Sequence, residues 1–151
     1  MVLSFIDEMK LEEQRDIFNI FHDGSIVSIS DQNNLLTLKI EIQYLAELIS
    51  EEFDHFFVDL ISCDILKFIN WGNEKTILDI QIISKLEPEI LNCDKEVTDM
   101  LRILCALSIG PGGELWIKTK EIKIFDQKKN EITIDELRRI CKKYWDRFGK
   151  N

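Results

Sequence analysis

An α+β domain is the fold class this sequence predicts, with a mainly antiparallel sheet of about seven or eight strands packed by an amphipathic C-terminal helix and an N-terminal helix. Three observations predict it. Leu36, Leu38, Ile40, Ile42 and Tyr44 alternate with Thr37, Lys39, Glu41 and Gln43, a period of two that buries one face of a strand and wets the other. Shorter alternating runs recur along the chain, separated by glycine, asparagine and aspartate. Near the end, Thr133 and Glu136 have the spacing of a capping box. Ile134, Leu137, Ile140, Cys141, Tyr144, Trp145 and Phe148 then recur at three and four residue intervals.

The first element, Ser4 to Ile20, reads as a helix because Leu11 to Arg15 are strong helix formers and Ile17, Phe18 and Phe21 supply an apolar edge. Asp23-Gly24 marks a turn before a strand at Ile26 to Ile29. Asp31 to Asn34 then turns the chain into the alternating strand Leu36 to Tyr44, making a hairpin. Leu45 to Ile49 either prolongs that strand past a bulge or forms one helical turn. Phe56, Val58 and Leu60 share a parity and predict a strand that Cys63-Asp64 turns into a second one, Ile65 to Trp71. A loop over Trp71 to Lys75 precedes Leu78, Ile80 and Ile82, whose alternation predicts another strand.

Pro88 cannot donate to a ladder and marks the start of the segment Glu89 to Lys95. Asp99 to Leu107 has helix-favouring composition but strict strand parity at Leu101, Ile103, Cys105 and Leu107, and strand is the reading adopted. Gly110-Pro111-Gly112-Gly113 reverses the chain into the long strand Glu114 to Phe125. Its apolar residues switch parity between Thr119 and Ile122, which predicts a bulge at Lys120-Glu121. Asp126 to Asn130 forms a turn. The final helix follows, with Ile132 and Leu137 as a hydrophobic staple, Arg138, Arg139, Lys142, Lys143 and Arg147 on its wet face, and Gly149 as its stop.

The 151 residues fit one domain, 1–151, able to bury roughly two-thirds of its unfolded surface. No apolar run nears the roughly 20 residues of a membrane helix, and Asp7 and Glu8 stand where a signal peptide would be basic and then apolar, so a cytoplasmic location is expected. A net charge of −9 disfavours nucleic acid as a partner and favours a cationic protein. Cys63, Cys93, Cys105 and Cys141 stand far apart inside apolar patterns. They read as small buried hydrophobes, not as a zinc site.

Candidate chemistry is sparse. The two histidines each neighbour an aspartate, as His22-Asp23 and Asp54-His55, and a cation held by both pairs would activate water. Such sites need further histidines, so His22 is read as hydrogen-bonded in a turn and His55 as a surface residue, with no metal and no cofactor assigned. The glycines at 110–113 lack the lysine and hydroxyl of a phosphate loop. Phe53, Phe56, Phe57, Phe68 and Trp71 crowd one stretch. Of the aromatics, Trp71 beside Gly72 and Trp116 at the mouth of the glycine turn are the expected exposed ones, and with His22 and Asp23 they make up the candidate binding residues.

The order of motifs resembles that of small, largely uncharacterised bacterial proteins that open with a Phe-His-Asp-Gly-x-Ile hairpin. The matching pieces are Phe21 to Ile26, Trp116-x-Lys118, Ile122-x-Ile124-x-Asp126 and the helix start Ile132 to Leu137. Some such proteins are regarded as candidate immunity proteins of bacterial toxin systems, so the resemblance implies a non-enzymatic protein-binding module that neutralises a toxin. Two other classes stay open. One is a small-ligand or metal-binding enzyme using His22, Asp23 and His55. The other is a structural subunit that dimerises through an open sheet edge.

Overall fold

The computed structural model describes residues 9–149, the side chains of 148 and 149 excepted. It is an α+β fold. The elements run α1 (Leu11–Ile20), β1 (Ser25–Gln32), β2 (Leu35–Glu41), α2 (Gln43–Ala46), β3 (His55–Asn70), β4 (Thr76–Ile77), α3 (Ile80–Leu86), β5 (Glu89–Cys93), β6 (Leu101–Ala106), β7 (Gly113–Phe125), β8 (Glu131–Ile132) and α4 (Ile134–Gly149). Among the described residues the eight strands form one antiparallel sheet in the order β4-β3-β2-β1-β5-β6-β7-β8. A further pairing of β3 with β7 closes the ring β1-β2-β3-β7-β6-β5. Among the described residues one hydrophobic core runs from Ile17 to Leu137.

The β1–β2 hairpin turns more tightly than predicted. Both strands continue through Gln32 and Leu35, leaving only Asn33 and Asn34 at the turn, with φ of 53° and 64°. Positive φ at both central residues is what a type I′ two-residue hairpin requires, and asparagine tolerates it better than most side chains. Leu36, Leu38 and Ile40 face the core as their parity demands. The strand stops at Glu41, however, and Tyr44 lies in the helical turn α2. Turning there buries Leu45 and Ala46 together, which an extended chain would place on opposite faces.

The expected turn at Cys63-Asp64 is absent, and β3 runs unbroken for 16 residues. Ser62 has φ 54°, and an extra residue lies between Cys63 and Ile65. Turns and bulges ask for similar backbone, so the turn signal marks a bulge here. The parity switch in β7 falls opposite this bulge. Leu115, Ile117 and Thr119 are buried, then Ile122 and Ile124, yet β7 itself carries no inserted residue across Thr119 to Glu121. The bulge predicted at Lys120-Glu121 is therefore on the partner strand, and the two strands coil past one another together. The Thr119 hydroxyl fills the corner by donating to the Ile61 carbonyl at 2.7 Å.

Leu78 to Ile82 is not a strand. Asp79 caps α3 by accepting from the backbone N–H groups of Gln81 and Ile82, and Ile83 is buried while Leu78 and Ile82 face solvent. A period of two and a period of three coincide at Ile80, and the aspartate cap decides between them. The helix covers the free edge of β1, where Ile29 N–H donates to Ser84 Oγ at 3.0 Å. Asp99 to Leu107 is strand, as its parity indicated, over Leu101–Ala106.

Of the predicted N-terminal helix, Leu11–Ile20 is seen. Residues through Glu8 lie outside the described residues. Its buried Gln14 donates through Nε2 to the carbonyls of Met9 and Thr119, tying α1 to β7. Thr133 caps α4, as half of the predicted capping box: Glu136 N–H donates to Thr133 Oγ1 at 3.1 Å, while the Glu136 carboxylate accepts from the Thr133 hydroxyl at 3.2 Å and not from its backbone N–H. Helix α4 packs chiefly on α1 and α2, through fully buried Leu137, the Arg138–Asp16 ion pair at 2.7 Å and a Tyr44–Tyr144 ring contact at 4.4 Å. The side chain of Phe148, the last member of the predicted stripe, lies outside the described residues.

Candidate functional site

The β3–β7–β6 ladder places Lys67, Trp116 and Arg102 in one cross-strand row, with Ile69, Glu114 and Leu104 in the next. Alternation aims these side chains away from the core, because Leu115 and Ile117 between them are fully buried. Trp71, at the end of β3, is held against the glycine turn by its backbone N–H, which donates to the Gly112 carbonyl at 3.0 Å. Gly112 has φ 102°, and a Cβ there would stand 2.5 Å from the Cys105 carbonyl oxygen, so only glycine lets the turn close on the strand.

These placements converge on one carboxylate. Glu114 Oε2 accepts from Trp71 Nε1 at 2.9 Å and from Arg102 at 2.7 Å, while Oε1 accepts from Trp116 Nε1 at 2.8 Å. The other guanidinium nitrogen of Arg102 donates to Asp94 at 2.7 Å. Burial opposes the charge on Glu114, but hydrogen bonds from Arg102, Trp71 and Trp116 outweigh it and hold the carboxyl below its ordinary range. Asp94 is held low by the backbone N–H of Glu96 and by Arg102. Cations also lie over the Trp116 ring, Lys67 Nζ at 5.7 Å and Arg102 Cζ at 5.8 Å from its centroid. The result is two indoles fixed by a half-buried charge network, with Trp71 39% exposed. Ile109, in the adjoining turn, is 86% exposed.

The structure joins Trp71 and Trp116, the two aromatics expected to be exposed; Trp71 is exposed, whereas Trp116, covered by Lys67 and Arg102, is half-buried. Glu114, Arg102 and Asp94 were missed. Glu114 shares the parity of Trp116 two residues on, which is a signal for a same-face partner, but nothing in one dimension brings Arg102 or Trp71 to it.

His22 and Asp23 form a second, separate place. His22 Nδ1–H donates to the Asn19 carbonyl at 2.7 Å, and its ring stacks on Trp145 at 5.6 Å. Asp23 adopts φ 72° and lines, with Glu41, Glu47 and Tyr44, a shallow groove of about 450 Å³. The Tyr44 hydroxyl donates to the His22 carbonyl, and burial, reinforced by Asp23, pushes the phenol up to about 12. His55 is elsewhere, 2.6 Å from Asp54 Oδ1 and edge-on to Phe57. Its side chain is only 13% exposed, so it is not the surface residue expected. The two histidines have separate partners, and among the described residues no group of three or more His, Cys, Asp or Glu side chains is placed to hold a metal ion. Cys93 and Cys105 are buried, whereas Cys63 and Cys141 are half-buried.

Fold and site together define an α+β protein whose ring of antiparallel strands carries an oriented tryptophan pair on its outer face. Compared with known proteins, the chain matches no family model, no curated protein and no solved structure. Among the described residues no helix is long and apolar enough to cross a membrane.

Proposed function

We propose that this chain is a cytoplasmic, non-enzymatic protein-binding module whose partner is a cationic protein, in the manner of an immunity protein that neutralises a toxin. The observation that carries the reading is the Trp71–Glu114–Trp116 arrangement. Tryptophan is enriched among the few residues that dominate interface energy, and a ring already held in place gives up little further freedom on binding. Trp71 and Ile109, both exposed, supply the apolar contact. The chain's charge supplies steering. From Ile40 to Leu66 there are seven carboxylates and neither lysine nor arginine, and a field of one sign raises the encounter rate of an oppositely charged partner.

The test uses the full chain and its Trp71→Ala variant as baits in lysate of the source cells, followed by titration of the captured protein. Loss of an interface anchor is worth about 2 kcal/mol, or roughly thirtyfold in Kd. The supporting result is a basic protein held by the wild type, weakened to that extent by Trp71→Ala and released by salt. Capture that ignores both the variant and the salt overturns the reading.

A further inference from the structure

Helix α4 carries its cations on one stripe. Leu137, Ile140, Cys141 and Tyr144 turn toward the rest of the fold. Arg139, Lys142, Lys143 and Arg147, at steps of three, one and four, are exposed on the opposite side. Together with Asp146 these four line a shallow surface groove of about 470 Å³. Among the described residues none of the four is ion-paired, whereas Arg138 is held by Asp16 and Asp135. Arg139 with Lys143, and Lys143 with Arg147, stand one turn apart, so like charges repel along the stripe and cost the helix stability. From residue 138 to residue 147 there are five cations and one carboxylate, in a chain whose net charge is −9. A surface that repels itself and lacks an internal counter-charge fits an anion from outside.

We propose that this stripe grips the phosphate backbone of a nucleic-acid duplex, without reading its sequence. Charge complementarity selects a polyanion, and three features narrow the class. Arg139 to Arg147 spans about 12 Å of helix, the reach of roughly four phosphates of a duplex strand spaced about 3.4 Å along its axis. The stripe holds no apolar anchor of the kind that dominates a protein interface, and the exposed aromatic Trp145 is stacked on His22, so neither a protein partner nor the unstacked bases of a single strand is served. A flat bilayer would also meet the exposed Asp135 and Glu136 in the first turn of α4, whereas a duplex strand can lie across the later turns alone. The net charge of −9 repels a polyanion at long range, but at physiological ionic strength charges farther apart than about 8 Å are largely screened, and the cations touching the phosphates dominate at contact. The proposal does not rest on the tryptophan face, and the failure of either reading leaves the other standing.

Fluorescence anisotropy of a labelled DNA duplex of mixed sequence, titrated with the full chain, tests it. Four neutralised phosphates predict a slope of log affinity against log salt of about −3.6, so affinity should fall roughly 150-fold between about 0.05 and about 0.2 M salt. Lys142→Gln with Lys143→Gln should weaken binding and bring the slope to about −1.8, with circular dichroism unchanged because both side chains are exposed. Trp71→Ala should keep the wild-type affinity and slope. Polyglutamate and phosphatidylserine vesicles serve as the competing polyanions, and each should bind more weakly than the duplex. A wild-type chain that does not bind at the lower salt, a double variant with the wild-type slope, or either competitor bound as tightly as the duplex overturns the proposal.

Discussion

Replacing Glu114 by glutamine removes one charge and one acceptor from a site that serves three donors. An amide can point its oxygen to only one side. With the oxygen at the Oε2 position, the bonds from Trp71 and Arg102 survive without the carboxylate charge, and the NH₂ group then faces Trp116 Nε1–H, donor against donor. Trp116 is half-buried, so its donor left without an acceptor costs about 1 kcal/mol, the lower end for a buried group, and losing charge assistance in the Arg102 bond adds about 1 kcal/mol. That second figure is taken low because Arg102 is 27% exposed and keeps Asp94. The expected loss is about 2 kcal/mol, a fall in Tm of roughly 4–8 °C for a domain of this size. Urea unfolding followed by circular dichroism measures it. Because the orphaned group is the Trp116 indole, Trp116→Phe should shrink the cost of Glu114→Gln by about 1 kcal/mol, whereas Trp71→Phe should not. A Glu114→Gln protein within about 0.5 kcal/mol of wild type, or no coupling to Trp116, would refute the reasoning.

Three other outcomes follow from the same structure. Lowering the pH should close the gap between wild type and Glu114→Gln. A carboxyl held below its ordinary range stabilises the fold above the unfolded value of about 4.3 and stops doing so as pH falls through its folded value, so stability curves from pH 6 to 3 should converge at the acid end. Gly113→Ala should cost at least about 3 kcal/mol or prevent folding, since its Cβ would lie 2.5 Å from both the Ile69 carbonyl oxygen and the buried Phe68 ring; a soluble variant with wild-type unfolding would count against the strand register. Thr133→Ala should lower stability by about 1 kcal/mol through loss of the cap, and Thr133→Ser should restore most of it, as unfolding midpoints would show.

Elements whose side-chain period and end signals agree were legible in the sequence. In β2 the alternation Leu36, Leu38, Ile40 has one dry face and no competing pattern, and in α4 the Thr133 cap precedes a clean helical stripe. Where two periods coincide, as at Ile80, the cap decides, and Asp79 was the signal that separated helix from strand. The bulge in β3 was not legible because its buried residues Phe56, Val58, Leu60 and Phe68 stay on even positions across it, and the switch in β7 does not say which of two paired strands carries an extra residue.

The site was half legible for a related reason. Trp71 and Trp116 could be named from residue type and flanking glycines, but their common partner depends on register. Lys67 and Arg102 both pair with Trp116, and Trp71 follows directly on the paired residues Ile69 and Asn70, so β7 alone determines that these residues meet at Glu114. A one-residue slip of β7 would turn Glu114 toward the core and Leu115 toward water, leaving a charge buried without Arg102 and a leucine exposed. The network therefore works as a register lock as well as a support for the indoles. Disrupting it should loosen the β3–β7 pairing before it loosens α4, which is held through α1 and α2.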